Sequence, residues 1–298
     1  MDNRSKRNCP GCESANCRFV GPKNGFDIFL CADCRSLYAS KLPEIEETLN
    51  YDEYYSATNL EVPEFIMKRV DEIISGFESY KKTNRLLDIG FGAGTILQVA
   101  SRKGWDVSGQ EVSSPAVEQA RVQGFEAFCG NLSEAKYPDA YFDVITCSEI
   151  LEHVPNPQEI LLEVARILRP GGLFWATTPS ARGISYRLMG TEWSVLSPPE
   201  HTQLYSKKGI IRMLHKAGFS RATVKTYGTN PNEIINYYRK HSNAPEREEG
   251  LGFDRVQSSY NLNEKLSSSP IRQTIKGILN NSLNLFEIGD SLKIFANK

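Results

Sequence analysis

Short apolar runs alternate with segments of helical periodicity through the middle of the chain. Runs at 85–90, 105–111, 125–129, 142–149 and 173–178 have the length of strands, and each is separated from the next by a turn or a helical pattern. One such pattern, at 157–168, places apolar residues at 160, 161, 164, 167 and 168. Strands that alternate with helices are typical of a parallel sheet covered on both faces. The pattern therefore predicts a doubly wound α/β fold.

The amino-terminal segment carries two C-x2-C pairs instead of a strand–helix pattern. The pairs are Cys9–Cys12 and Cys31–Cys34, with eighteen residues between them. Four thiolates satisfy a tetrahedral Zn²⁺ ion and leave no open position for catalysis. The intervening residues predict a short hairpin with its tip at 23–25. Residues 1–45 are therefore predicted to form a zinc knuckle with a scaffold or protein-docking role; the alternative is a set of free thiols in a disordered tail.

Composition and charge narrow the class of protein. Of 298 residues, 40% are hydrophobic and 24% charged, as in ordinary globular proteins. The net charge of -1 provides no general electrostatic attraction to nucleic acid, which weakens an RNA-binding interpretation. No run approaches the roughly 20 apolar residues of a membrane span, and the charged first residues do not resemble a signal peptide. We expect a cytoplasmic protein that does not bind membranes.

A glycine-rich turn follows the first predicted strand of the α/β region. Gly90, Gly92 and Gly94 lie between that strand and a helical pattern, where backbone amides can meet a nucleoside-type cofactor. Their G-x-G-x-G spacing differs from the G-x-G-x-x-G of pyrophosphate binders. Asp88 precedes the turn and places a carboxylate where a cationic amino-acid group could sit. Glu111 ends the next strand, at the position from which a carboxylate takes ribose hydroxyls.

These segments together resemble a known enzyme family. LLDIGFGAG, the acid at Glu111, FDVITCSEILEHVPNP and LRPGG look like the successive motifs of class I S-adenosylmethionine (SAM)-dependent methyltransferases, particularly the group of ubiquinone-biosynthesis and sugar O-methyltransferases. The resemblance covers about residues 50–225 and returns at 289–295. It implies a Rossmann-like sheet of seven strands with the last strand antiparallel. Residues 46–298 would form this domain, with 230–287 a helical insertion or lid.

The resemblance also assigns cofactor residues. Asp88 and the three glycines would hold the methionine part of SAM, Glu111 the ribose, and Asn131 and Leu132 would border the adenine. Many relatives have aspartate where Asn131 stands, and an amide both donates and accepts hydrogen bonds. Tyr55 belongs to a segment that resembles the tyrosine-bearing lead-in that closes over SAM; packing against the knuckle is the alternative.

A second constellation follows the fourth predicted strand. Glu149, Glu152 and His153 would share one face if this segment begins a helix, and His201 lies after the fifth strand. Carboxylates and imidazoles suit Mg²⁺ or Mn²⁺. The E-x-x-E-H pattern with a later histidine resembles the metal set of plant small-RNA 3′-terminal 2′-O-methyltransferases, in which the ion holds adjacent hydroxyls. The alternative is His153 as a general base without metal.

The sequence thus predicts a SAM-dependent methyltransferase that methylates oxygen on a small hydroxylated acceptor, such as a sugar or nucleotide-sugar. The expected cofactors are SAM, a structural Zn²⁺ and a catalytic Mg²⁺ or Mn²⁺. Two alternatives stay open: an RNA methyltransferase, and a non-catalytic subunit of the same fold that docks through its knuckle. The choice among oxygen, nitrogen and carbon as the methylated atom also stays open.

Overall fold

The structure is a computed structural model that describes residues 7–44, 52, 62–242 and 270–298. Tyr55 and the rest of the tyrosine-bearing segment, apart from Asp52, lie outside the described residues. The strands in chain order are β1 (Cys17–Lys23), β2 (Phe26–Cys31), β3 (Leu37–Ala39), β4 (Arg85–Ile89), β5 (Asp106–Glu111), β6 (Glu126–Cys129), β7 (Phe142–Ser148), β8 (Leu168–Pro179), β9 (Gln203–Leu204), β10 (Arg221–Tyr227) and β11 (Ser291–Asn297).

The helices lie between these strands in the order that a doubly wound fold requires. They are α1 (Glu64–Ser75), α2 (Thr95–Arg102), α3 (Ser114–Val122), α4 (Pro157–Ile167), α5 (Ile184–Met189), α6 (Lys207–Lys216), α7 (Pro231–His241) and α8 (Pro270–Leu285). The last two belong to the predicted insertion, which is helical in its described parts. In the described ranges, no helix has the length and apolar character needed to cross a membrane.

The central sheet has seven strands in the order β10-β11-β8-β7-β4-β5-β6. The pairs within β6-β5-β4-β7-β8 are parallel, whereas β11 is antiparallel to both of its neighbours. The predicted Rossmann-like sheet with an antiparallel last strand is confirmed. Strands β4 and β7 and the second half of β8 are buried on both faces because helices cover both sides. Two clusters of buried side chains fill these layers.

One strand boundary differs from the prediction. The sequence predicts a helical pattern at 157–168 and the next strand only at 173–178, yet β8 already pairs with β7 at Leu168, opposite Phe142. The register then shifts, so that Leu173 is the partner of Val144. Residues 169–172 are therefore an irregularity within the strand, and Gly171 permits it with a φ of 72°.

The amino-terminal knuckle is built into the larger domain. Strands β1, β2 and β3 form a sheet with β9, in which Leu37 is opposite Leu204 and Tyr38 opposite Gln203. The predicted hairpin is confirmed, with Asn24 and Gly25 at positive φ in its turn. Apolar side chains of β2 and β3 share one buried cluster with Ala181, Met189, Trp193, Val195, Leu196 and Leu204. One face of the knuckle therefore shares the core of the larger domain, while Cys9, Phe29, Cys31, Cys34 and Tyr38 form a small buried cluster within the knuckle.

Candidate active site and cysteine cluster

The glycine turn lies between β4 and α2 at the carboxyl edge of the sheet. Gly90, Gly92 and Gly94 have φ values of 66°, 51° and 71°, a region that disfavours residues with a Cβ atom. A Cβ on Gly90 would also stand 2.1 Å from Cδ1 of Ile150. The turn thus exposes backbone, without side chains, toward the position of a ligand.

Glu111 faces this turn from the end of β5. Its carboxylate is 5% exposed and accepts hydrogen bonds from the amides of Gly92 (3.0 Å), Val112 (2.7 Å) and Ser113 (3.2 Å). Three amide donors fix the orientation of the carboxylate, and its two oxygens offer about four lone pairs in all. Capacity therefore remains for a hydroxyl donor.

Asp88 lies within β4, one strand away from Glu111. Its carboxyl group is 3% exposed and accepts a hydrogen bond of 2.7 Å from the hydroxyl of Thr146. Burial raises the pKa of Asp88 to about 7; the Thr146 hydrogen bond opposes this shift and the charge of Glu111 adds to it. Ionised Asp88 therefore favours a cationic neighbour, such as the ammonium group of an amino-acid ligand.

This raised pKa predicts a pH-dependent stability. A carboxyl whose pKa is higher in the folded protein favours folding while it is protonated, so the unfolding free energy should fall as pH rises from about 4 to about 7. Asp88→Asn removes this titration. Relative to wild type, the variant should gain about 1.4 kcal/mol per pH unit across that window. Urea unfolding of the ligand-free proteins measures the difference, with exposed Asp106→Asn as the control. A pH-independent difference would contradict the assignment.

Asn131 and Leu132 follow β6, beside the end of β5, where the Gly130 amide donates to the Glu111 carbonyl at 3.0 Å. Asn131 is exposed, and its backbone amide donates to the Glu134 carboxylate at 2.7 Å. Leu132 is 4% exposed and belongs to the apolar core. The adenine role of both residues stays a prediction; of the two, Asn131 has the accessible side chain.

The segment after β7 is a turn and not the start of a helix. Glu149, Glu152 and His153 therefore do not share a helix face, and that prediction is wrong. Glu149 has a φ of 55°, and the next helix begins only at Pro157. A left-handed residue interrupts helical geometry directly after the strand. The turn nevertheless brings Glu152 and His153 together, while Glu149 is exposed beside them.

Glu152, His153 and His201 form a cluster whose potential ligand atoms all lie within 4.8 Å of one another. The two imidazole rings are 4.5 Å apart between centroids, and His153 Nε2 is 4.0 Å from Glu152 Oε1. Two buried atoms, Glu152 Oε1 and His153 Nδ1, have no hydrogen-bond partner. Glu149 is not part of this group of three.

The charges in this cluster are shifted by burial. Burial and the neighbouring Glu149 raise the pKa of Glu152 well above its usual range. Burial and the proximity of His201 lower the pKa of His153 to about 3, so its imidazole is neutral. His201 Nδ1 lies 2.6 Å from the carbonyl of Val195. Since a carbonyl only accepts, Nδ1 carries the proton and the lone pair is on Nε2.

Strand β9 and the residue after it hold the histidine turn in place. Gln203 Nε2 donates to the carbonyls of Leu151, at 3.3 Å, and Val154. The Tyr205 hydroxyl donates to the same Leu151 carbonyl at 3.1 Å. Neither residue belongs to a motif or a periodic pattern, so the sequence alone does not predict this role.

The four knuckle cysteines converge as their spacing predicts. The Sγ atoms of Cys9, Cys12, Cys31 and Cys34 lie within 4.8 Å of one another, with Cys9–Cys34 and Cys12–Cys31 separations of 3.5 Å. Hydrogen bonding from Cys9 lowers the pKa of the Cys34 thiol to about 5. Four converging sulfur atoms are a donor set that fits Zn²⁺.

Polar contacts tie this cluster to the segment that follows His201. The Ser206 hydroxyl donates to the carbonyl of Cys34, and the Ser206 amide donates to the Ser36 hydroxyl at 3.2 Å. The Arg7 guanidinium donates to the carbonyl of Thr202 at 2.9 Å. The second cysteine pair and the histidine-bearing segment are therefore parts of one packed unit.

The fold and the site together define a SAM-dependent methyltransferase. Its features are the seven-stranded sheet, the glycine turn and Glu111, which is hydrogen-bonded to that turn. The chain belongs to the family described as methyltransferase domain, whose model matches residues 59–224. A ubiquinone biosynthesis O-methyltransferase from Thiobacillus denitrificans is 32% identical over 168 residues, which span 52% of this chain and 72% of that protein. A protein of the same name from Nitrosomonas europaea is 29% identical over 177 residues, 54% of this chain and 73% of its own.

Solved structures share the fold at lower sequence identity. A SAM-dependent methyltransferase from Archaeoglobus fulgidus matches with a TM-score of 0.54 and 16% identity. The match covers 84% of this chain and 100% of the other. At this identity the similarity concerns the fold alone.

Proposed function

We propose that this enzyme transfers the methyl group of SAM to a hydroxyl oxygen of a small acceptor with adjacent hydroxyls, such as a sugar or nucleotide-sugar. The observation that supports this proposal is the Glu152–His153–His201 cluster with its two unpartnered buried atoms. Buried polar atoms without partners are costly and point to a bound group. The name O-methyltransferase of the relatives agrees with oxygen as the acceptor atom.

The cofactor would lie over the carboxyl ends of β4 and β5. When bound, SAM supplies a methyl group on a positively charged sulfur. Asp88 would balance the charge of its amino-acid part, and the glycine turn would let backbone approach it closely. Glu111, held by three amides, would accept from the ribose hydroxyls. Asn131 would reach the adenine from the end of β6.

The acceptor would lie beside the histidine cluster, where the Glu152 carboxylate is a donor that suits Mg²⁺ or Mn²⁺ and the two imidazoles would add nitrogen donors. Such a cation, when bound, favours the ionised form of a nearby hydroxyl. Glu152 would supply the Oε1 atom that now lacks a partner, while Thr178 holds its other oxygen at 2.9 Å. His201 would offer Nε2, and Glu149 would complete the set from the exposed side of the turn.

The four cysteines would hold one structural Zn²⁺ in the knuckle. With all four positions filled by sulfur, this ion would have no place for the acceptor. Its role would be to stabilise the sheet that includes β9, and therefore to support the segment that carries His201.

Calorimetric titration of Mn²⁺, with and without SAM, tests the acceptor site. We expect one binding site per chain besides the tightly held Zn²⁺, and a loss of affinity of at least about tenfold in Glu152→Gln or His201→Gln, since each removes a ligand. Glu200→Gln is the matched control, because this exposed carboxylate adjoins His201 without joining the cluster. SAM binding should be unchanged in all three variants.

The results also separate the alternatives. SAM binding without Mn²⁺ binding would overturn the metal and leave His153 as the candidate base. Salt-sensitive binding of RNA, measured by gel shift, would favour the RNA methyltransferase instead. SAM binding without transfer to any hydroxylated acceptor, tested with labelled methyl groups, would favour the docking subunit.

A further inference from the structure

Basic residues from three elements surround the side chain of Tyr227, at the end of β10. The Arg69 guanidinium of α1 lies 5.8 Å from the centre of the Tyr227 ring, and Lys293 Nζ of β11 lies 4.9 Å from it. Lys276, on α8, belongs to the same charged group, because its charge acts on Lys293 and the charge of Arg69 acts on Lys276. One turn along the same helix, Asn280 accepts a hydrogen bond of 3.0 Å from Gly228, the neighbour of Tyr227.

Nearby carboxylate charge balances these cations only in part, through Glu72. Within the described ranges, no acidic side chain makes an ion pair with Arg69, Lys276 or Lys293. Burial lowers the pKa of Lys293, and so do the charges of Arg69, Lys225 and Lys276. Burial and the charge of Arg69 also lower the pKa of Lys276, against the opposing effect of Glu72. Lys276 and Lys293 are half-buried and Arg69 is exposed. The repulsion among these like charges opposes the favourable contacts that Arg69 and Lys293 make with the Tyr227 ring.

The cluster lies at the same edge of the sheet as the proposed acceptor site. Lys293 is the cross-strand partner of Thr177 in β8. The Thr177 hydroxyl is 2.8 Å from that of Ser148, and the Thr177 carbonyl accepts from the amide of Glu149 at 2.9 Å. Two strand spacings, about 10 Å, therefore separate the backbone of Lys293 from the start of the histidine turn. The charge of Glu149 also acts on Tyr227, whose pKa is raised to about 12, chiefly by burial.

The alternative ligand is the carboxylate of SAM itself, and the sheet order argues against it. The glycine turn follows β4, which is three strands from β11, or about 14 Å. A ligand placed at the glycine turn would direct its amino-acid part toward β4 and not toward β10. The cations are better placed for a group at the far end of the acceptor.

We propose that Arg69, Lys276, Lys293 and Tyr227 form a binding site for a phosphoryl group of the acceptor. The inference rests on the proposed function, because the phosphoryl group would belong to the same acceptor molecule as the methylated hydroxyl. An acceptor of about 10 Å between hydroxyl and phosphoryl group, such as a sugar joined to a phosphate or diphosphate, would span both sites. Guanidinium, ammonium and phenol groups all donate hydrogen bonds to phosphoryl oxygens, and the charges attract the anion.

Calorimetric titration with inorganic pyrophosphate tests this site without the unidentified acceptor. We expect saturable binding to the full chain, weakened by about tenfold or more in Lys293→Met and in the double variant Arg69→Gln/Lys276→Gln. Lys68→Gln is the matched control, since this exposed residue adjoins Arg69 on α1 without belonging to the cluster.

Each outcome addresses one claim. Absence of pyrophosphate binding, or equal binding by wild type and the cluster variants, would overturn the phosphoryl site. Preferential binding of malonate over pyrophosphate would overturn it in favour of a carboxylate-bearing acceptor. Tighter SAM binding by wild type than by Lys293→Met would assign the cations to the cofactor. Mn²⁺ titration of the same variants reports separately on the histidine cluster, so failure of the proposed O-methyl transfer is distinguishable from failure of this site.

Discussion

Replacing Glu111 with alanine is expected to weaken SAM binding by at least about a hundredfold. The change removes a carboxylate that would accept from a ribose hydroxyl, and a hydrogen bond to a charged group contributes roughly 1.5–3 kcal/mol. It also leaves the amides of Gly92, Val112 and Ser113 without their acceptor, so the glycine turn loses its anchor. Calorimetric titration of SAM into the zinc-loaded protein measures the effect.

The control for this experiment is another glutamate of the same region. Glu118→Ala alters an exposed side chain of α3, the helix that follows β5, and should leave SAM affinity unchanged. Glu111→Asp keeps the charge but shortens the side chain, and should fall between wild type and the alanine variant. A circular dichroism spectrum shows whether the variants fold. Wild-type affinity in folded Glu111→Ala would place the ribose elsewhere.

The second large effect is expected from Cys34→Ser. This change removes one of the four sulfur ligands of the proposed zinc site and alters the buried contact with Ser36. Because β3 and β9 share a sheet, disruption of the knuckle should loosen the segment that carries His201. We expect loss of bound zinc and a melting temperature lower by roughly 10 °C, which corresponds to about 4 kcal/mol in a domain of 150–250 residues.

Zinc content by mass spectrometry and thermal unfolding test this prediction. The matched control is Cys129→Ser, which changes an exposed cysteine at the end of β6, far along the chain from the knuckle. It should keep one zinc per chain and the wild-type melting temperature. Two results together would contradict the prediction: purified wild-type protein that contains no zinc, and a Cys34→Ser variant with the wild-type melting temperature. The cysteines would then be ordinary thiols in a knuckle that binds no metal.

The sequence predicts the inner strands of the central sheet well because β4, β7 and the second half of β8 are short, largely apolar runs. Strand β4, for example, is bounded by a polar segment before it and a glycine turn after it, and its side chains are buried whichever helix covers them. The cysteine cluster was also predictable from short segments of sequence, because each C-x2-C pair fixes the local geometry of two of the four sulfur atoms. The cofactor and metal roles drawn from these motifs stay predictions.

The remaining features depend on contacts between distant residues. Strand β9 has only two residues, too few for any periodic signal, and it forms because β3 offers an unpaired edge. The turn at Glu149 follows a strand in the same way that a helix start would, so spacing alone did not distinguish them. Arg69, Lys276 and Lys293 belong to three separate elements, and only the packing of α1 and α8 near β10 brings their charges together.

The pairing of knuckle strand β3 with β9 of the larger domain affects how the protein folds during synthesis. Ser36 and Ser206, which are hydrogen-bonded, are 170 residues apart in sequence. The knuckle emerges from the ribosome well before residues 203–204, which form the strand that completes its sheet. Contacts of such long range form late in folding, because a long loop must close first. Until then the edge of β3 is unpaired and the apolar side chains beside it are exposed to solvent. We therefore expect chaperones to bind the growing chain at this stage.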